Sequence, residues 1–197
     1  MKQFSLLITG ASGAIYGKRL LEVLVDLGHH VDLLVSASAE ICLSYECQIS
    51  GGARGLVDHL FPDARKERVR VHAVGNIAAS LASGSALRNL SAGIIAPASM
   101  GTCSRIAHGH SGNLIERHAD VLIKERKPLV IVPRETPMSV IHLENLLKLA
   151  QLGCVILPAA PGFYHQPQSV ADLVDQVVGK TLDMVGVEHH LFARWKG

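Results

Sequence analysis

The sequence predicts an α/β fold in one domain over residues 1–197, a parallel sheet with helices on both faces. Three observations carry that reading. Short β-branched or Leu-rich runs alternate with amphipathic stretches along the whole chain. The 197 residues are 48% hydrophobic and 18% charged, enough for one substantial core and too few for a second. No internal repeat or low-complexity linker breaks the alternation. Strand, helix, strand in series needs crossover connections, which pair strands in parallel and cover both faces of the sheet.

The elements follow in order. FSLLITG (4–10) is an apolar strand closed by a glycine, and AIYGKRLLEVLVDLG (14–28) carries its apolar residues at helical spacing. HVDLLVS (30–36) and RVRVHAV (68–74) read as further strands. Residues 75–91, GNIAASLASGSALRNLS, are rich in Gly, Ser and Ala and read as a loop, either mobile beside a site or plain surface. AGIIAPAS (92–99), PLVIVPR (128–134) and CVILPAA (154–160) are strands, separated by the helical stretches GNLIERHADVLIKER and MSVIHLENLLKLAQLG. A last helix is expected near 169–186.

Composition excludes several function classes. A formal charge of +2 with no basic run gives no footprint for nucleic acid. The chain lacks an uninterrupted apolar stretch of about 18 residues, so the mean hydropathy of +0.27 points to apolar surface buried between subunits rather than in a membrane. A homo-oligomer is therefore expected. MKQFSLLITG enters a strand directly and does not read as a signal peptide. Cys42, Cys47, Cys103 and Cys154 form no zinc or CxxC spacing, which fits reduced thiols and a cytoplasmic location. The eleven histidines include the pairs His29/His30, His108/His110 and His189/His190, none with an acidic or Cys partner at a metal-binding spacing, so no metal is expected.

Ligands of an open parallel sheet bind beyond the carboxyl ends of its strands. Those ends carry Gly10-Ala11-Ser12-Gly13, Ser36, Ser99-Met100-Gly101-Thr102, Arg134-Glu135 and Pro161-Gly162-Phe163-Tyr164. Glycines and backbone N–H groups at a helix start suit a phosphate. The turn at 10–13 equally suits a tight bend with Ser12 as N-cap. It is not G-x-G-x-x-G, and Ser36 replaces the acid that holds a ribose, so a mononucleotide fits better than a dinucleotide. Arg117 and Lys124 lie two helical turns apart on one face, either as phosphate ligands or as a solvated face with Lys124 paired to Asp120. Lys180 has the same two readings, and Tyr164 has packing as its alternative.

TGASGAIYG, SMGT, NLIERHADVLIKERKPLVIVPRETP, IHLENLLKLAQLG and VILPAAPGFYHQPQSV together resemble the flavin prenyltransferase family of UbiX type, formerly described as aromatic-acid or 3-polyprenyl-4-hydroxybenzoate decarboxylases. The resemblance covers nearly the whole chain, and PRETP with APGFYHQPQS is its most specific part. It implies a single Rossmann-like flavoprotein domain that binds FMN, needs no metal and assembles as a dodecamer. It further implies transfer of a dimethylallyl group from dimethylallyl monophosphate to N5 and C6 of reduced FMN, giving prenylated FMN for a UbiD-type decarboxylase.

Carried over by residue, the resemblance implies FMN contacts at Gly10, Ala11, Ser12, Ser36, Ser99, Met100, Gly101, Thr102 and Arg134. It places Tyr164 and Lys180 on the prenyl phosphate, with Arg117 and Lys124 in the same phosphate cluster. Glu135 matches the family's catalytic acid and Trp195 a C-terminal aromatic near the site. CSRIAHGHSGN departs from the family pattern, and some members have Arg where Lys180 stands, which keeps the charge but not a bidentate grip. Three alternatives stay open: an FMN-dependent cysteine decarboxylase of the same fold, a direct aromatic-acid decarboxylase, and a non-catalytic flavin-carrier subunit.

Overall fold

In a computed structural model that describes residues 1–194, six strands form one all-parallel sheet: β1 (Gln3–Ile8), β2 (His30–Val35), β3 (Val69–Val71), β4 (Leu90–Ala98), β5 (Leu129–Pro133) and β6 (Val155–Ile156). Their spatial order is β3-β2-β1-β4-β5-β6. The direction of winding reverses between β1 and β4, which opens a crevice beyond their carboxyl ends. The helices are α1 (Ala14–Asp26), α2 (Ala37–Cys47), α3 (Gly52–Leu60), α4 (Met100–Ala107), α5 (Leu114–Lys124), α6 (Val140–Gln151) and α7 (Val170–Met184).

Alternation along each strand divides the core into two. Phe4, Leu6 and Ile8 of β1, with Val31, Leu33 and Val35 of β2, face α1, α2, α3 and α7. Leu7, Leu34, Ile95 and Ile131 face the opposite layer, where α4, α5 and α6 supply Cys103, Leu122 and Leu149. Both layers are apolar because successive side chains of a strand point to opposite faces and both faces are covered.

Two parts of the sequence reading need correction. Residues 37–60 hold α2 and α3, which were not among the expected elements; α2 has an apolar residue on several sides and so lacks a clean stripe. Residues 75–91 contain short 3-10 turns at Ser80–Ala82 and Gly84–Leu87, with Leu81 and Leu87 buried, rather than a plain loop. Two side chains of α5 hold this segment: Arg117 Nε donates to the Ala82 carbonyl at 3.2 Å, and His118 Nδ1 lies 2.9 Å from the Leu81 carbonyl. A carbonyl can only accept, so His118 Nδ1 carries a proton. Its Nε2, 2.7 Å from Ser5 Oγ, accepts from the hydroxyl, because burial lowers the imidazole pKa and keeps the ring neutral.

Candidate active site

The crevice between β1 and β4 is lined by helix starts. Gly13 is the N-cap of α1 at φ 105°, a left-handed conformation that glycine adopts freely. Ser12 is therefore not the cap that one sequence reading made it, and its side chain is exposed. The capping group comes instead from Glu46 of α2, whose Oε2 accepts from the N–H groups of both Gly13 and Ala14 at 2.8 Å. Nothing in the spacing of Glu46 signals this role; it arises from the packing of α2 against α1. Two converging N–H groups that hold a carboxylate present the donor pattern that suits a phosphate.

The other strand ends are capped by the predicted hydroxyls. Ser36 caps α2, its Oγ accepting from Ala39 N–H at 3.2 Å. Ser99 caps α4, accepting from Thr102 N–H at 3.2 Å and donating to Thr102 Oγ1 at 3.0 Å. Thr9 Oγ1 donates to the Pro97 carbonyl at 3.0 Å and accepts from Ser99 N–H at 2.8 Å, which stitches the end of β1 to the end of β4. Met100 and Thr102 are buried, Gly101 is exposed, and Gly10 and Ala11 lie in the β1 turn.

Arg134 reaches across this crevice. Its Nε donates to the Ser12 carbonyl at 2.8 Å, and among the described residues its terminal amino groups remain available at the turn. Arg134 and Glu135 are partly exposed rather than buried, and among the described residues no ion pair joins them. Glu135 Oε1 accepts from Thr136 N–H at 3.2 Å. The two adjacent opposite charges therefore do not satisfy one another at the strand end.

One chain does not gather the four expected donor-phosphate ligands. Tyr164 projects from the turn after β6, 86% exposed. Lys180 lies on α7, on the α1 face of the sheet, with Nζ 3.9 Å from Asp183 Oδ2. Arg117 and Lys124 lie on α5, across the sheet. Arg117 pairs with Asp120 at 2.9 Å and Lys124 with Glu125 at 2.5 Å, so the Lys124–Asp120 pair of the solvated-face alternative does not form. Lys127, just beyond α5, donates to the carbonyls of Arg88 and Leu90 where β4 begins. Lys124 is thus near the opposite edge of the sheet from Arg134. Periodicity put Arg117 and Lys124 on one helix face but said nothing of which layer that helix joins. Trp195 lies outside the described residues.

The segment that departs from the family pattern is structurally accounted for. The Glu116 carboxylate is buried and accepts from Arg105, from Gly112 N–H at 2.9 Å and from Asn113 Nδ2 at 2.8 Å. Burial pushes this carboxyl up, but those donors outweigh it and hold it low. His108 Nδ1 lies 2.8 Å from the Ser104 carbonyl at the end of α4. Among the described residues no group of three or more His, Cys, Asp or Glu is placed to hold a metal ion.

A model of the Flavoprotein family matches residues 1–183. Flavin prenyltransferase UbiX of Pseudomonas aeruginosa is 48% identical over 198 residues, covering 98% of this chain and 94% of that protein. The chain belongs to the flavin prenyltransferase family of UbiX type. A second member, from Aquifex aeolicus, is 43% identical over the full length of both chains. Among solved structures, AnUbiX (PadA1) in complex with FMN and dimethylallyl pyrophosphate superposes with a TM-score of 0.90 at 37% identity, covering 100% of this chain and 98% of that one. A dodecameric FMN-dependent UbiX-like decarboxylase from Escherichia coli O157:H7 gives 0.89 at 36% identity, covering 99% and 100%. The cypemycin decarboxylase CypD, at 17% identity and a TM-score of 0.61, shares the fold alone.

Proposed function

We propose that this chain is a flavin prenyltransferase, moving a dimethylallyl group from dimethylallyl monophosphate to N5 and C6 of reduced FMN. The observation that carries the reading is the β1–β4 crevice: Arg134 bridged to Ser12 among three helix N-termini, in a chain with full-length relatives of that name. FMN fits the crevice with its phosphate at the Gly13 and Ala14 N–H groups, which the Glu46 carboxylate would release to it. When bound, the reduced flavin supplies the nucleophile, so no Ser, Cys or His nucleophile is needed from the protein.

The residues have separable tasks. Cleavage of an allylic C–O bond leaves a delocalised cation and a phosphate, so positive groups must take up the leaving charge and water must be kept out. Arg117, Lys124, Lys180 and Tyr164 suit the first task. Glu135, beside Arg134 but not paired with it, would accept or return a proton during transfer and ring closure.

The four phosphate ligands meet only if neighbouring copies contribute them. Val140, Ile141, Leu143 and Leu147 form an exposed apolar face on α6, 53–70% accessible, which a closed homo-oligomer would cover. A dodecamer, as in the Escherichia coli relative, satisfies both needs. Among the described residues no helix is long and apolar enough to cross a membrane, and Cys42, Cys47, Cys103 and Cys154 are free, in keeping with a cytoplasmic enzyme. The product would serve a UbiD-type decarboxylase as its cofactor.

The test is anaerobic incubation of purified protein with reduced FMN and either dimethylallyl monophosphate or the pyrophosphate seen with AnUbiX, followed by mass spectrometry of the released flavin. A gain of one dimethylallyl unit is expected with the monophosphate. Decarboxylation of an aromatic acid or a peptidyl cysteine without any prenyl donor would overturn the reading in favour of a decarboxylase. Flavin binding without either reaction would leave a carrier.

A further inference from the structure

Near the end of α7, the Asp183 carboxylate accepts from two side chains of the segment that follows. Its Oδ1 accepts from Arg194 Nη2 at 2.7 Å and its Oδ2 from Arg194 Nη1 at 3.1 Å, a bidentate grip. His189 Nε2 lies 3.2 Å from Oδ1. His189 Nδ1 accepts from Leu191 N–H at 3.2 Å, so Nε2 carries the ring proton and donates to Asp183. These bonds fold residues 189–194 back onto α7.

Gly179 admits the folded segment. A Cβ there would stand 2.5 Å from Phe192 Cε1 and 2.6 Å from His189 Cε1, closer than atoms approach. Phe192 in turn stacks toward His165, ring centroids 6.3 Å apart, and His165 follows Tyr164 in the turn after β6. Among the described residues His165 Nε2 is buried without a hydrogen-bond partner, so packing against Phe192 holds the ring. The segment therefore touches both places that carry expected donor ligands, α7 at Lys180 and the turn at Tyr164.

We propose that Asp183 is a positioning residue for the prenyl donor, clamping residues 189–194 so that Lys180 and the Tyr164 turn are held in one geometry. The inference rests on the function proposed above. Distance separates Asp183's two roles: Arg194 is held at 2.7 Å, while Lys180 Nζ stands 3.9 Å away on a side chain 47% exposed. The carboxylate is committed to the segment and leaves the ammonium able to turn toward a phosphate.

Positioning and simple electrostatics predict opposite signs. A carboxylate beside a phosphate-binding lysine repels the phosphate, so removing its charge would tighten donor binding if charge were all that mattered. Under the positioning role, Asp183→Asn raises KM for dimethylallyl monophosphate by about tenfold, leaves FMN affinity unchanged and lowers kcat little. Arg194→Gln, which loosens the same clamp from its other end, shifts KM in the same direction. Hydrogen exchange supplies a readout independent of turnover: amides of 163–168 and 189–194 should exchange faster in both variants. A lower or unchanged KM in folded Asp183→Asn, or unchanged exchange, would overturn the proposal. Should Asp183→Asn not fold, Arg194→Gln decides by the same two readouts. Wild-type protein that makes no prenylated flavin would overturn the proposed function, and this inference with it, before any variant is compared.

Discussion

Arg134 Nε donates to the Ser12 carbonyl oxygen at 2.8 Å, joining the end of β5 to the turn after β1 across β4. A guanidinium can hold that carbonyl and still offer its terminal amino groups to a ligand. Arg134→Lys retains the charge but has one ammonium for both tasks, so FMN should bind about tenfold to a hundredfold more weakly in a protein that still folds. Flavin fluorescence titration measures this, and an unchanged Kd would remove Arg134 from the site.

Ser12 separates stability from binding. Because Gly13 and Glu46 cap α1 and Ser12 is exposed, Ser12→Leu should alter stability by no more than about 0.5 kcal/mol. The bulky side chain should nevertheless obstruct the turn and abolish FMN uptake. A melting curve and a titration on the same sample test both halves, and normal FMN affinity would mean that the first turn is not part of the site.

Among the described residues no ion pair holds Glu135, so Glu135→Gln removes a charge without stranding a partner there. Thermal stability and FMN binding should persist. If Glu135 moves a proton, single-turnover formation of prenylated flavin should fall by roughly 10² to 10⁴. Near-normal turnover would end its catalytic assignment, while accumulation of an adduct attached only at N5 would place its work in ring closure.

The separation of α5 from α7 by the sheet makes a prediction about assembly. If one site draws Arg117 and Lys124 from one copy and Lys180 from another, Arg117→Ala and Lys180→Ala proteins, each inactive, should regain part of the activity when dissociated and reassembled together. Mixed oligomers that remain inactive would argue that each site is built by a single chain.

Acid should loosen the segment at 75–91 through His118. Its pKa is lowered from the ordinary 6.5 by burial, so the folded protein binds this proton less readily than the unfolded chain. Stability from this group is complete above 6.5 and declines as pH falls below it toward the folded value. Melting temperature measured against pH should drop through that window, and His118→Gln should flatten the drop while lowering stability at neutral pH. A slope unchanged by the substitution would assign the pH dependence elsewhere.

The alternation of strands and helices, the single domain and the strand-end positions from Gly10 to Arg134 were legible in the chain, because period-2 and period-3.6 patterns and glycine turns are local properties. Ser36 and Ser99 were legible as strand-end hydroxyls for the same reason, and only the structure made them the caps of α2 and α4. What no local pattern contains is which layer a helix joins. Hence Arg117 and Lys124 could be put on one helix face but not on the side of the sheet away from Lys180. Glu46 escaped notice because its partners, Gly13 and Ala14, stand more than thirty residues away and meet it only when α2 packs on α1. Nor does the adjacency of Arg134 and Glu135 in PRETP say what either side chain meets: only the tertiary structure brings the guanidinium to the Ser12 carbonyl rather than to its neighbour, since a guanidinium takes whichever acceptor the fold brings within reach.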